Sequence, residues 1–276
     1  MEVKYGIMII SYEPDNFPPA KDLVTRTGRR AGIFLRNVGR GTLLVIHAFA
    51  GIPKSFHYGR PDISRAMIQF GIKSFGVTST VALFTGMILA LQAGLILRSY
   101  GQEMRVGYLV SQTMFREMGP FMTALILAAS VGSAMAAQLG TMKVSQEIAA
   151  LDVMSINPIH FLVTPRLIAM MIMTPVLTAY TDLIGILGGG IVAYTQLDVG
   201  WTSYFENVKF LLTNREILTG FFKAWVFAVL IAGISCYQGL SASNGAVGVG
   251  LATRRSVVIC FLTVLITGYI ITRIFY

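Results

Sequence analysis

The chain has 276 residues, of which 54% are hydrophobic and only 13% are charged, and its mean hydropathy is +0.67. These values leave too few polar side chains to cover a water-soluble globule, so the composition excludes an ordinary soluble domain. The net charge of +9 does not indicate nucleic-acid binding, because an excess of lysine and arginine is typical of the cytoplasmic side of membrane proteins.

Residues 1–65 are predicted to form a cytoplasmic N-terminal segment, followed by a transmembrane domain over residues 66–276. The opening stretch has too few apolar residues for the core of a signal peptide, so no cleaved leader is expected. Further along, five arginines share about a third of a helical wheel, and Phe34, Leu35 and Val38 point away from them. These five are Arg26, Arg29, Arg30, Arg36 and Arg40. The pattern favours an interfacial amphipathic helix at the lipid headgroups, the alternative being a cytoplasmic helix packed on the protein.

Five predominantly apolar stretches are long enough to cross a bilayer, since about 20 helical residues span its hydrocarbon core. They are Ser74–Leu97, Pro120–Leu139, Leu167–Tyr194, Ala224–Leu240 and Ser256–Thr272. The fold class is therefore an all-α integral membrane protein with five transmembrane helices after the interfacial helix. Ten of the 22 basic residues precede Phe70, which places the N-terminus in the cytoplasm, and an odd number of spans places the C-terminus outside.

The segment between the second and third predicted spans is expected to form a short cytoplasmic helix. Three apolar residues are spaced to share one of its faces, with two charged residues beside them. These are Val144, Ile148 and Leu151, with Lys143 and Glu147. Asn157-Pro158 is expected to end the helix. Such a helix could lie on the bilayer, or it could dock into a cytoplasmic partner and transmit motion to the spans.

One acidic residue, Asp182, lies midway through the third predicted span, where a buried carboxylate costs several kcal/mol unless it is paired or hydrated. A proton-accepting or gating role would explain this residue. A hydrogen bond to Tyr180, to Thr181 or to another span would explain it equally. Pro175 and four neighbouring glycines are expected to allow a bend and close helix approach. The glycines are Gly185, Gly188, Gly189 and Gly190.

The sequence contains no arrangement that indicates catalysis or a metal site. It lacks a G-x-x-x-x-G-K-[ST] loop, so ATP and Mg²⁺ would be bound by a partner and this chain would carry no cofactor. The glycine-rich stretch Asn244–Gly250 follows a span and is interpreted as a flexible loop. The histidines are too scattered to hold a metal, and the cysteines lie in apolar runs as packing residues. The residues concerned are His47, His57, His160, Cys236 and Cys260.

Several motifs resemble those of the MlaE family of permeases, over the stretch from Gly86 to the C-terminus. They are REMGP at Arg116–Pro120, VGSAMAAQLGTMKV at Val131–Val144, EIAALDVMSINP at Glu147–Pro158, TPRL at Thr164–Leu167 and TDLIGILGG at Thr181–Gly189. The resemblance implies a homodimer in a bacterial inner membrane. It also implies a cytoplasmic ABC-type ATPase and a periplasmic MCE-domain protein as partners, and phospholipid as the substrate.

The resemblance further implies where the functional residues lie. A coupling helix at Lys143–Ser155 would enter the ATPase, and lipid would occupy an outward-opening pocket between two copies of the chain. The implied coupling residues are Lys143, Glu147, Ile148, Leu151, Asp152 and Met154, and the implied lipid-binding residues are Leu91, Gln92, Leu95 and Tyr100. The chain departs from the family at Ser130 and Gln138, where the family commonly has arginine and glutamate, so both charges are missing together.

Three functions from different classes are compatible with the sequence. The leading one is a non-catalytic lipid permease driven by a partner's ATP cycle, serving lipid homeostasis of the outer membrane. The second is a self-contained secondary carrier that uses Asp182 as its ion or proton site, for which inverted repeats would be expected, although the two halves show no convincing repeat. The third is a membrane scaffold that only recruits partners.

Overall fold

The computed structural model describes residues 23–53, 60–211 and 213–276, and every regular element in these ranges is helical. Within them, five helical segments are long and apolar enough to cross a membrane, which confirms the predicted number. They are span 1, Pro61–Arg98; span 2, Glu103–Val144; span 3, Ile159–Gln196; span 4, Asn214–Leu240; and span 5, Gly245–Phe275. The chain is an all-α, multi-pass membrane protein.

The α-helices of the described ranges are numbered here in chain order. They are α1 Leu23–Ala50, α2 Arg60–Phe70, α3 Phe75–Arg98, α4 Val106–Thr113, α5 Gly119–Leu127, α6 Ser133–Val144, α7 Glu147–Val153, α8 Thr164–Gln196, α9 Trp201–Leu211, α10 Asn214–Leu240 and α11 Gly245–Phe275. A 3₁₀ turn at Ile72–Ser74 joins α2 to α3 within span 1. Span 2 contains π-helical turns at Met114–Met118 and Ala128–Gly132, and a third, Ile159–Val163, opens span 3. Single π turns inside helices often mark functional sites.

Each predicted span lies inside an observed one, but most of the helices extend further. Hydropathy detects only the apolar middle of a span, whereas a helix continues as long as its backbone hydrogen bonds are made. The interpretation of Asn244–Gly250 as a flexible loop was wrong, because α11 begins at Gly245. Asn244 and Gly245 turn the chain with φ of 64° and 67°, and a Cβ at Gly248 would collide with the Ser243 carbonyl oxygen.

The chain forms two compact units, each assembled from separated stretches. Unit 1 comprises Met1–Ser64, Gly132–Ile168 and Ala232–Ile259, and unit 2 comprises Arg65–Val131, Ala169–Ile231 and Cys260–Tyr276. The division of the chain into an N-terminal segment and a transmembrane domain at residue 65 stays a prediction.

In unit 1, helix α1 packs along one side and exposes an apolar side. Gly41 lies against the ring of Tyr237, and the Thr164 hydroxyl donates a hydrogen bond to the Ala48 carbonyl at 3.1 Å. Leu35, Val38, Leu43 and Ile46 are exposed. An apolar exposed side suits contact with lipid and supports the interfacial interpretation. The side chains of Arg26, Arg29, Arg30 and Phe34, together with residue His57 and the opening stretch, lie outside the described residues.

In unit 2, spans 1 and 3 approach each other backbone to backbone. The buried face of α3 is a line of small residues at every fourth position, namely Thr78, Ala82, Gly86, Ala90 and Gly94. A Cβ at Gly86 would collide with the Gly185 carbonyl oxygen, and one at Gly188 would collide with the Leu83 carbonyl oxygen. The predicted close approach at these glycines is therefore confirmed, as is usual where small residues meet in membrane helices.

Helix α9, which the sequence did not predict, closes an apolar cluster in unit 2 beside α4 and span 3. Tyr204 is fully buried there and packs on Gly107. Its hydroxyl donates a hydrogen bond to the Ile186 carbonyl at 3.0 Å, and burial raises the pKa of this phenol. Tyr204 thus ties α9 to α8, the helix that contains Asp182.

Candidate functional site

The segment between spans 2 and 3 contains a helix, α7, that is shorter than predicted. Gln146 adopts a left-handed conformation with φ of 62°, and α7 begins immediately after it and ends at Val153. Because such a residue breaks the helix, Val144 does not share a helical face with Ile148, and that part of the prediction was wrong. Ser155, with φ of 59°, turns the chain again after α7.

Asn157-Pro158 does not end α7, contrary to the prediction, because α7 has already stopped at Val153. The Asn157 side chain instead accepts a hydrogen bond at 3.0 Å from the Ile159 backbone N–H. This bond satisfies one of the free N–H groups that every helix has at its start. The pair therefore begins span 3 rather than terminating the helix before it.

Some side chains of α7 pack against the rest of the chain and others are exposed. Ile148 is 1% exposed and anchors the helix, whereas Val153 and Met154 are 86% and 67% exposed. Glu147 is also exposed, and Lys143, Leu151 and Asp152 are half-buried. Burial raises the pKa of the Asp152 carboxyl, and the charge of Lys143 opposes that shift. Of the six predicted coupling residues, Glu147 and Met154 are the ones most accessible to a partner.

The predicted lipid-binding residues lie at the end of span 1 in unit 2. Leu91 is half-buried against the apolar cluster beneath α9, while Gln92, Leu95 and Tyr100 are exposed. Gln92 is directed away from the small-residue face of α3, on the same side as exposed Phe84 and Ile88. Gln92 thus supplies an amide and Tyr100 a phenol within an otherwise apolar surface.

The two neutral departures from the family pattern both lie in span 2. Ser130 is exposed in the π turn Ala128–Gly132, and its hydroxyl donates a hydrogen bond to the Ile126 carbonyl at 2.7 Å. Gln138 is exposed on α6. Ser130 belongs to unit 2 and Gln138 to unit 1.

A buried ionic network in unit 2 was missed by the sequence analysis. Lys223 is 1% exposed and forms an ion pair with Glu117 at 2.8 Å. Its ammonium also donates to the Arg116 carbonyl at 2.8 Å and to the Thr272 hydroxyl at 2.7 Å. Thr272 in turn donates to Glu117 at 2.7 Å. The network joins spans 2, 4 and 5 and satisfies all three protons of the lysine.

The REMGP motif explains why a backbone carbonyl is free to join this network. In an α-helix the carbonyl of Arg116 would accept the N–H of residue 120, but Pro120 has no N–H. The released carbonyl is the one that binds Lys223. The side chain of Arg116 turns elsewhere and lies 3.4 Å from the centre of the Tyr276 ring. A sequence signal existed, since Lys223 directly precedes a predicted span, but a lysine at that position predicts only the boundary of the span.

Asp182 lies in unit 2 and is 2% exposed. The two neighbours that the sequence offered as partners bond elsewhere: the Tyr180 hydroxyl pairs with Ser79 at 2.7 Å and Thr181 with Thr123 at 2.8 Å. Within the described part of the chain, the buried Oδ1 of Asp182 has no hydrogen-bond partner. This oxygen lies against Gly119 of span 2, where a Cβ would collide with it.

Comparison with known proteins agrees with this architecture. The family described as Permease MlaE matches residues 63–274. The chain is 34% identical over 255 residues to a probable ABC transporter permease protein of Rickettsia felis, covering 92% of this chain and 98% of that relative. It is 32% identical over 257 residues, with the same coverage, to the intermembrane phospholipid transport system permease protein MlaE of Haemophilus influenzae. The chloroplastic protein TRIGALACTOSYLDIACYLGLYCEROL 1 of Arabidopsis thaliana is 30% identical over 206 residues, 75% of this chain and 59% of that relative. The chain therefore belongs to the MlaE family of permeases.

Proposed function

We propose that this chain is the membrane permease of an ATP-driven transporter that moves phospholipid between a bacterial inner membrane and a periplasmic MCE-domain protein. The names of two relatives support the proposal, since one is a probable ABC transporter permease and the other belongs to an intermembrane phospholipid transport system. In this role the chain hydrolyses nothing itself. ATP and Mg²⁺ are bound by a separate ATPase, and the transported lipid serves outer-membrane homeostasis.

The observation that carries the proposal is the surface of α7. A short helix between two spans presents Val153 and Met154 outward while Ile148 holds it to the protein. Exposed apolar side chains at the end of a short helix are typical of a protein-docking site. An ATPase that binds this end can displace α7, and only the short turn at residues 154–158 separates α7 from the π turn that opens span 3. The docked partner thereby acts on a span without contacting the lipid.

The lipid site is proposed to lie between two copies of the chain, beside the outer end of span 1. Only 22% of the apolar stretch of span 1 and 17% of that of span 5 are buried, against 50% in each of the other spans. The exposed Gln92, Leu95 and Tyr100 combine apolar surface with polar groups, a combination that suits a lipid molecule with its headgroup.

The test is a charge placed on the docking surface. Val153→Asp is expected to abolish both co-purification of the ATPase and ATP-driven lipid movement, because an ionised group cannot enter an apolar contact without a large desolvation cost. Abundance and thermal stability of the permease should not change, because Val153 makes little contact within the chain. Thr202→Asp, at another exposed site, on α9, is the control and should retain both properties. Normal lipid movement by Val153→Asp would refute the proposal.

A secondary carrier built on Asp182 is the second candidate, and it is favoured by the buried Oδ1 of that residue, which has no hydrogen-bond partner among the described residues. The two functions are separated by replacing the partner with an ATPase that binds nucleotide and cannot hydrolyse it. A permease driven by ATP stops moving lipid under that condition, whereas a carrier continues to respond to an imposed proton gradient. A scaffold shows no lipid movement under either condition.

A further inference from the structure

The carboxyl of Asp182 is buried in surroundings that disfavour its ionised form. It lies in span 3, 14 residues before the end of that helix at Gln196, which corresponds to roughly 21 Å of α-helix. The side chain is 2% exposed, and its buried Oδ1 receives no hydrogen bond from any described residue. A carboxylate whose buried oxygen has no partner would lose hydration there without a compensating hydrogen bond, at a cost of several kcal/mol.

The ionisable side chains that flank Asp182 on its own helix, and those that flank Gly119 on span 2, bond to other partners. On its own helix, the Tyr180 hydroxyl pairs with Ser79 of span 1. On span 2, Glu117 pairs with Lys223 of span 4, and Arg116 stacks on Tyr276. In the described part of the chain, these flanking groups therefore place no cation beside Asp182.

The polar groups that remain nearby are neutral. Ala82 of span 1 meets Gly185 of span 3 through its carbonyl, and Thr78 and Asp182 each lie about one helical turn before that contact. Thr78 is fully buried, and its hydroxyl oxygen also has no hydrogen-bond partner in the described part of the chain. A threonine hydroxyl can bond to a carboxylic acid or to a water molecule, but it cannot balance a charge.

We propose that Asp182 is a proton-binding site within the membrane, un-ionised while span 3 is packed against Gly119 and ionised when the two helices separate. In the forward step the carboxyl O–H bond breaks, its electron pair stays on the carboxylate, and the proton passes to water that enters between spans 2 and 3. The reverse step returns the proton and expels the water. This inference does not depend on the proposed movement of lipid.

Gly119 is suited to form the other side of this site. A side chain at this position would collide with Oδ1 of Asp182, so the glycine allows the carboxyl to be covered completely. Gly119 also directly follows the π turn Met114–Met118, whose backbone bonds span five residues, as in the bond from the Gly119 N–H to the Met114 carbonyl. A π turn can shift to α-helical bonding by a local change, which would move Gly119 relative to Asp182.

The sign of the pH dependence follows from linkage. The packed arrangement binds the proton and the separated arrangement releases it, so protons stabilise packing. Stability of the packed form is therefore fully present at low pH and is lost as pH rises through the range in which Asp182 ionises. An asparagine at 182 has nearly the same shape and cannot ionise, so its packing should not depend on pH in this range.

The first experiment is infrared spectroscopy of the purified full-length chain in lipid at mildly alkaline pH. An un-ionised carboxylic acid has a carbonyl stretch that is absent from carboxylates and moves in deuterated water. This band is expected in the wild type, lost in Asp182→Asn and retained in Asp198→Asn. Asp198 is an exposed aspartate with φ of 55°, a conformation that asparagine also accepts. Absence of the band from the wild type, or its survival in Asp182→Asn, would overturn the proposal.

The second experiment needs no substitution and guards against a variant that does not fold. The wild type is grown with carboxyl-labelled aspartate, and the un-ionised band should shift with the isotope. Its intensity should fall as pH rises, together with the midpoint of thermal unfolding. A band that is unaffected by aspartate labelling would assign the proton to a glutamate and refute the site. A loss of the band on adding sodium at constant pH would instead indicate a cation site and would also refute it.

Discussion

At the scale of single residues, Lys223 and Glu117 form one ion pair but differ in burial, and this difference makes their substitutions unequal. The lysine side chain is 1% exposed and that of the glutamate 37%. Glu117→Met leaves a buried ammonium without its counter-charge, which typically costs about 3–5 kcal/mol. Lys223→Met leaves the Glu117 carboxylate without its partner, but this carboxylate is partly exposed, so its charge is not fully buried. We expect Glu117→Met to lower the thermal unfolding midpoint in detergent by more than Lys223→Met does.

The double variant provides the control for this comparison. Removing both charges leaves neither group unpaired, so Glu117→Met with Lys223→Met should be more stable than Glu117→Met by itself. Equal losses for the two single variants that add in the double variant would show that the groups do not act as a pair. Lys223 and Glu117 would then contribute to stability independently of each other.

At the scale of helices, the contact between spans 1 and 3 depends on the absence of a side chain at Gly86. Gly86→Ala places a methyl group on the Gly185 carbonyl oxygen, and neither backbone can move without separating the two helices. Overpacking of this kind typically costs about 1–3 kcal/mol. We expect a lower unfolding midpoint and weaker expression of the intact protein. The midpoint is measured by heating the purified variant in detergent, and expression by the amount of intact protein in the membranes.

A matched control lies on the same helix. Gly76 has no atom within 4 Å of the position that a Cβ would occupy, so Gly76→Ala should be neutral or slightly stabilising, as alanine is a better helix former. If the two variants lost the same stability, helix propensity would be responsible and the proposed contact would carry no weight.

Some of the helices could be predicted from sequence patterns and others could not. The five spans were predictable because their apolar middles are continuous, and the close approach at Gly185 and Gly188 was predictable because small residues cluster there. The interruption at Gln146 was not, since a left-handed glutamine leaves no mark in helical periodicity. Helix α9 was missed because it is short and only partly apolar.

The ionic network was unpredictable for a different physical reason. Its members come from three spans, and Lys223 lies 106 positions after Glu117 in sequence. A charged residue beside an apolar run usually marks the point where the run leaves the membrane. This rule places Lys223 just outside the predicted span that begins at Ala224. Only the packed structure shows that a lysine can be buried there, because Pro120 releases a carbonyl for it and Glu117 and Thr272 supply the other acceptors.

At the scale of the whole molecule, the distribution of charge predicts how the chain is oriented in the membrane. The basic residues before span 1, Lys143 at the end of span 2, and Arg254 and Arg255 in the first turns of α11 all belong to ends that the positive-inside rule assigns to the cytoplasm. The same assignment places α7 where a cytoplasmic ATPase can reach it and places α9 on the opposite side. The docking proposal therefore requires this orientation, because a cytoplasmic ATPase can reach α7 only if α7 lies in the cytoplasm.

This orientation can be tested with single cysteines, because the two native ones, Cys236 and Cys260, are fully buried and should react slowly. Ser145→Cys introduces an exposed thiol before α7, and Thr202→Cys introduces one on α9. A membrane-impermeant maleimide added to cells with a permeabilised outer membrane should label Thr202→Cys at once. It should label Ser145→Cys only after the inner membrane is also opened. Labelling of Ser145→Cys in cells with an intact inner membrane would place α7 outside, and no cytoplasmic ATPase could then act through it.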